Sequence, residues 1–220
     1  SPYRPQVTKR LTELAPNQTY TLSSLNRDGY ILEATDVTLS VSNLPGLDAQ
    51  TYLNALSVYP YGCTEQTAST AMPLLFVNQL GGIDGLSEEQ RHARIDLAIK
   101  RLVARQDAEG AFGLWRVNDG NSSPWLQVYV TEFLLLAKEN GQAVPQDALD
   151  RALSAVRKIS EPSRYTNLNL NFNYGWNNSG GLEQDIRRFE RAAYAHYVLA
   201  LADEVDVPDL RYLADNNAGD

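Results

Sequence analysis

The spacing of apolar positions changes period once along the chain, from two to about three and a half. Thr35-Asp36-Val37-Thr38-Leu39-Ser40-Val41-Ser42 alternates, with Val37, Leu39 and Val41 on one face and hydroxyl-bearing residues on the other. That is the pattern of a half-buried strand. Thr19-Tyr20-Thr21-Leu22 reads as a second, weaker strand, and Asp28-Gly29 supplies a turn signal between the two. Two or three strands cannot bury a face by themselves, so this segment needs partners from elsewhere. Asn43-Leu44-Pro45-Gly46 closes it as a turn. The expected division is a β segment over 1–46, part of an incomplete β domain, and a helical domain over 47–220, mainly α overall.

In the second region a short helix is predicted over Asp48–Ser57 and another from Cys63 to about Leu80, with Pro73 in mid-course and Gly81-Gly82 as its stop. Ser87-Glu88-Glu89 opens a helix running to about Arg105, with Ile95, Ala98, Ile99 and Leu102 on one face. The stretch Trp125–Lys138 is apolar nearly all round, as expected of a helix enclosed by others. Pro145 starts the next, whose Leu149, Ala152, Leu153 and Val156 form a single stripe with a polar back. Ile186–Ala202 is again apolar over much of its surface, and a short helix follows Pro208. Enclosed helices alternating with amphipathic ones imply an inner and an outer layer.

Composition narrows the chemistry. The net charge of −8 and the lack of a Lys/Arg cluster argue against nucleic acid. No apolar run approaches the roughly 18 residues needed to span a bilayer, so no direct membrane contact is expected. The chain opens at Ser1 with strand-like sequence already under way, which suggests a piece of a longer protein. With 1 cysteine and 2 histidines, no zinc-ligand spacing is present, no phosphate-cradling glycine loop follows a strand, and no cofactor is expected. The triplets at Asn17, Asn121 and Asn177 match glycosylation acceptors but are frequent by chance.

That single thiol, Cys63, lies three residues before the carboxamide of Gln66. If Gly62 ends a loop and a helix begins near Cys63, the two side chains share a face, roughly 5–6 Å apart at Cβ. Attack of the thiolate on the Gln66 amide, with loss of ammonia, would close a small ring containing a thioester. A helix N-terminus favours thiolate, Gly62 would let the backbone turn tightly, and Pro60 disfavours helix at Tyr59. The alternative is a small buried apolar cysteine followed by ordinary first-turn residues. Glu65 would be solvated, cap nearby amides, or complement the helix dipole.

Pro60-Tyr61-Gly62-Cys63-Thr64-Glu65-Gln66 resembles the thioester signature of the alpha-2-macroglobulin and complement superfamily, particularly its bacterial members. Thr64 stands where the animal proteins commonly carry glycine. The resemblance implies that Cys63 and Gln66 are the bond partners and that Tyr59 shields the bond from water. Tyr61 is a second candidate shield, with plain packing the alternative for both tyrosines. Gln106-Asp107-Ala108-Glu109-Gly110-Ala111-Phe112-Gly113-Leu114-Trp115 resembles a connection of α/α toroids, the terpenoid-cyclase-like fold of that superfamily's thioester domain. This likeness covers roughly residues 47–220. About seven helices are counted, fewer than six hairpins need, so either the domain is C-terminally incomplete or some helices are unrecognised. The β segment resembles part of the β-sandwich domain from which the thioester domain is inserted.

The function implied by the resemblance is a fragment of a broad-spectrum protease inhibitor. The thioester would be shielded against neighbouring domains of the parent chain, exposed when a protease cuts a bait segment, and attacked by a lysine amine of that protease. The reaction happens once, so the chain is a single-use trap and not an enzyme. A periplasmic location, in a parent protein that is a membrane-anchored lipoprotein, belongs to the same implication. In some members a histidine takes the acyl group first. His92 lies in a charged run and His196 on an apolar helix, and neither matches that histidine. The polar loop Asn167–Asn178, with Tyr174-Gly175-Trp176, falls nearer that position and holds asparagines, which favours direct attack by amines. Glu132 would point into the toroid axis or be buried and paired. Two other classes stay open: a toroid enzyme using Cys63 as nucleophile, and a non-reactive binding module.

Overall fold

The computed structural model describes residues 8, 10–21, 31, 35, 39, 41, 62–78, 86–161 and 182–217, with the backbone alone at 182–188, 216 and 217. The chain divides into two units, Ser1–Val41 and Ser42–Asp220. None of the described residues of the first unit lies in a strand, Thr19–Thr21 included. Most of the strand predicted over 35–42 lies outside the described residues; of its apolar face Leu39 and Val41 are described, and they are 63% and 84% exposed. A turn at Ala15–Gln18 is closed by reciprocal bonds, Gln18 N–H to the Ala15 carbonyl and Ala15 N–H to Gln18 Oε1, both 3.0 Å.

The second unit is helical: α1 Thr64–Phe76, α2 Glu88–Val103, α3 Pro124–Glu139, α4 Gln146–Ser160, α5 Leu182–Leu201 and α6 Val207–Asn217. The helix predicted at Asp48–Ser57 lies outside the described residues, as do the loop Asn167–Asn178, Tyr59 and Tyr61. α1 runs through Pro73 and ends at Phe76, short of the expected Leu80. α5 starts at Leu182, before Ile186, because Glu183-Gln184-Asp185 is polar and hides the first turn from an apolar-periodicity reading.

α1 packs on α3 and α3 on α5, while α2 covers α1, α4 covers α3 and α5, and α6 covers α5. Three hairpins thus form an arc of an α/α toroid, with α1, α3 and α5 in the inner row. The sequence explains the roles. α3 buries Leu126, Val128, Val130, Phe133, Leu134, Leu135 and Ala137 around most of its circumference. α4 buries only the stripe Ala148, Leu149, Ala152, Leu153, Val156 and Ile159. Each large apolar side chain so buried is worth roughly 1.5–3 kcal/mol relative to exposure. The helix starts are capped: Ser123 Oγ accepts from Leu126 N–H at 3.1 Å with Pro124 in the first turn, and Ser87 and Gln90 form a capping box at α2. Arg91, 8% exposed, reaches from α2 to the Leu74 carbonyl near the end of α1 at 3.0 Å, tying the first hairpin together.

Candidate functional site

Cys63 is the N-cap of α1, with extended backbone (φ −66°, ψ 167°). Its Sγ accepts the Gln66 backbone N–H at 3.4 Å, and Gln66 Oε1 accepts the Cys63 backbone N–H at 3.3 Å. These two bonds make a reciprocal capping box, here built on a thiol in place of the usual hydroxyl. The Gln66 carboxamide therefore folds back over the first turn onto the backbone of Cys63. Cys63 is 6% exposed and Gln66 half-buried.

Thr64 is wholly buried and fixes this turn to a distant loop. Its N–H donates to the Leu114 carbonyl at 2.8 Å and its Oγ1 to the Gly113 carbonyl at 2.6 Å. Arg105 forks across the same place: Nη2 donates to the Gly62 carbonyl at 2.5 Å and Nη1 to Thr64 Oγ1 at 3.3 Å. Burial pulls the Arg105 pKa down, Cys63 and Asp119 push it up, and Arg101 lowers it. At Gly62 an added Cβ would meet nothing within 4 Å. What position 62 supplies is its carbonyl, which accepts from Arg105 and, at 3.5 Å, from Thr67 Oγ1.

The loop behind Thr64 is itself braced. Phe112, 1% exposed, gives its N–H to Gln127 Oε1 on α3 at 3.1 Å. Gln106 Nε2 donates to the Ala148 carbonyl at 2.9 Å and its Oε1 accepts from Arg151 Nη2 at 3.1 Å, which anchors the loop to α4. Gly110 sits at φ +92°, and a Cβ there would fall 2.1 Å from the Arg151 carbonyl oxygen, so only glycine fits. Asp119 accepts the backbone N–H groups of Trp115 (2.6 Å), Asn121 (2.9 Å), Leu114 and Arg116 (3.3 Å each). Burial works to raise its pKa, but these backbone bonds outweigh it and hold the carboxyl below the usual range. Arg105 and Asp119 carry no functional mark in the sequence, and Thr64 stands out there only as the motif's departure from glycine; the toroid-like connection 106–115 is legible there, without its link to the motif.

Glu65 is partly exposed in the first turn of α1, the position from which a carboxylate complements the helix dipole. It accepts from Ser69 Oγ at 2.9 Å, and Ser69 Oγ lies 3.1 Å from Tyr129 Oη on α3. Burial, with Glu65 and Glu132 nearby, raises the Tyr129 pKa against the Ser69 bond. Tyr129 stacks on Trp125 (centroids 5.0 Å apart), and Glu132 is paired as the acceptor of Tyr194 Oη. Burial first, and then Glu132, push the Tyr194 pKa far up.

The histidines are elsewhere. His92, on α2, has a half-exposed side chain that contacts Gln142 Nε2 (2.9 Å) and Arg91 Nη2 (3.1 Å). His196, 1% exposed on α5, has its pKa lowered by burial and raised by Asp209, Asp206 and the Ser160 backbone. The hydrogen bonds described for Cys63, Thr64 and Gln66 do not include either ring. Among the described residues no group of three or more His, Cys, Asp or Glu is placed to hold a metal ion, and no helix is long and apolar enough to cross a membrane.

The model of the A-macroglobulin TED domain family matches residues 34–159, more than half of the chain. The chain belongs to that family. Its relatives include the alpha-2-macroglobulins of Escherichia coli strain K12 (37% identical over 156 residues, 69% of this chain and 9% of the relative) and Xylella fastidiosa strain Temecula1 (34% over 197 residues, 87% and 11%). The chain thus spans about a tenth of the length of these A-macroglobulins. The crystal structure of native E. coli alpha-2-macroglobulin from domain MG7 to the C-terminus superposes with a TM-score of 0.65 at 32% identity, covering 79% of this chain and 26% of that one. Salmonella alpha-2-macroglobulin reacted with methylamine gives 0.62 at 31% identity, over 76% of this chain and 10% of that one.

Proposed function

We propose that this chain is the thioester-bearing part of a bacterial protease trap, in which Cys63 Sγ and the Gln66 side-chain carbonyl carbon are joined and the bond is opened by a lysine amine of the captured protease. The observation that carries the proposal is the reciprocal bonding of Cys63 and Gln66 across one helical turn. Formation consumes the thiolate and the carboxamide and releases ammonia. Opening joins the amine nitrogen to the acyl carbon as an amide and returns the electron pair to sulfur. Burial of Cys63 and Thr64 keeps water away, and the two tethers of Thr64 resist the unwinding that would part the reacting groups.

The relatives support this reading. Methylamine is the reagent in the Salmonella structure, and E. coli alpha-2-macroglobulin has been solved activated by trypsin and by porcine elastase. For this chain the partners proposed are attacking proteases, engaged covalently through lysine amines, and the neighbouring domains of its parent. The proposed location of the parent is the periplasm, tested by cell fractionation. Cysteine-nucleophile catalysis with a histidine base draws no support from the hydrogen bonds around Cys63. Intact-mass measurement of freshly purified chain tests the chemistry. The expected result is a deficit of one ammonia, converted by methylamine to an adduct at Gln66 with one thiol released. A full mass with a thiol titratable from the outset, in material protected from hydrolysis, overturns it.

A further inference from the structure

We propose that Arg105 is a positioning residue for the Cys63–Gln66 chemistry: its guanidinium grips the chain on both sides of the sulfur and sets a positive charge where the leaving group forms. The proposal rests on the thioester reading. The fork joins Gly62, immediately before the cysteine, to Thr64, immediately after it, so the cysteine is the residue spanned by a single planar cation. Arg105 is only partly accessible, and its two bonds to the residues on either side of Cys63 place the guanidinium beside the sulfur's own turn. A partly desolvated cation acts more strongly on a neighbouring charge than a fully solvated one.

Both directions of the reaction place negative charge on this sulfur. In formation, the Cys63 thiolate attacks the Gln66 acyl carbon, the carbon–nitrogen bond breaks, and ammonia leaves with a proton from solvent. In opening, the primary amine adds to the same carbon, the carbon–sulfur bond breaks, its electron pair goes to Sγ, and the amine proton passes to water. The Arg105 charge favours thiolate at the start of the first step and at the end of the second. Arginine suits the task because its planar fork reaches two acceptors at once while keeping its charge when buried; a lysine in its place keeps the charge but not the grip.

The test uses the whole 220-residue chain, with Arg105→Met retaining an apolar stem and Arg105→Lys retaining the charge. Two readouts separate this inference from the reading beneath it. The first is methylamine-triggered thiol release, expected to slow about tenfold in Arg105→Met and less in Arg105→Lys. The second concerns the free thiol and needs no thioester: the iodoacetamide alkylation rate at pH 7 divided by that at pH 10, a ratio that cancels accessibility. In the folded chain this ratio should be about fivefold higher in wild type and Arg105→Lys than in Arg105→Met. An equal ratio in folded wild type and folded Arg105→Met overturns the inference, with Arg105→Gln as the neutral variant should Arg105→Met not fold. Equal release rates in wild type and a folded Arg105→Met overturn it while leaving the thioester standing. An ammonia deficit absent from the fresh wild-type chain overturns the thioester reading instead, and the alkylation ratio still decides the Arg105 charge.

Discussion

Two helices of this molecule start with the same device. At α2, Ser87 Oγ accepts the Gln90 N–H at 3.2 Å and Gln90 Oε1 accepts the Ser87 N–H at 3.0 Å; at α1, Cys63 and Gln66 do the same at 3.4 and 3.3 Å. In both, a glutamine three residues on folds back over the first turn. The α2 box is exposed and its other contact, Ser87 Oγ to Glu89, is local. The α1 box is set in a shell drawn from Arg105, Gly113 and Leu114. Local sequence therefore suffices to bring a polar cap and a carboxamide together, and the surroundings decide whether the pair merely starts a helix or is kept dry and held for chemistry.

The sharpest way to break this comparison is to exchange the caps. Cys63→Ser or Gln66→Ala is expected to abolish the ammonia deficit and methylamine incorporation altogether. Ser87→Cys placed in the Cys63→Ser chain, which gives α2 the same thiol–carboxamide spacing, should show no deficit by intact mass. If it did, the shell around α1 would be irrelevant. Next in size is Gly110→Ala, which puts a Cβ against the Arg151 carbonyl at a positive φ. A loss of about 2–4 kcal/mol is expected from urea unfolding, because both the strain and the clash involve backbone.

Asp119→Asn removes the carboxylate that collects four backbone N–H groups in the loop holding Thr64, with an expected cost of about 1 kcal/mol, since the site is partly exposed. Its pH dependence has a definite sign. The folded carboxyl lies below its ordinary value, so its contribution is present above the unfolded value of about 3.9 and is lost as pH falls through the lower, folded value. The stability gap between wild type and Asp119→Asn should thus be full at pH 7 and close in strongly acidic urea titrations. The smallest effect belongs to α2. Ser87→Ala should cost at most about 1 kcal/mol and leave thiol release unchanged, since nothing around Cys63 depends on it.

How much of this was legible in the sequence follows from the range of each interaction. The starts of α2, α3 and α4 were readable within a residue because Ser87 and Pro145 act on neighbours and the apolar run of α3 opens at Trp125. The closeness of Cys63 and Gln66 was readable from their separation of three. Thr64 and Arg105 were not, because their bonds cross 41 to 49 positions and depend on how α1 packs. Asp119 was hidden for a different reason: its partners are backbone amides, which leave no mark on residue identity. The strand predicted over 35–42 rests on alternation alone, and most of it lies outside the described residues.

Thr64 has a practical consequence for anyone wishing to borrow this motif. Both of its polar hydrogens are committed to consecutive carbonyls of a loop some fifty positions away. A synthetic peptide of residues 62–66 would lack that clamp and is too short to hold a helical turn in water. Transplanting the reactive turn to a foreign scaffold therefore means moving the 105–119 loop with it; the minimal portable unit is two separated pieces of chain, not one short word.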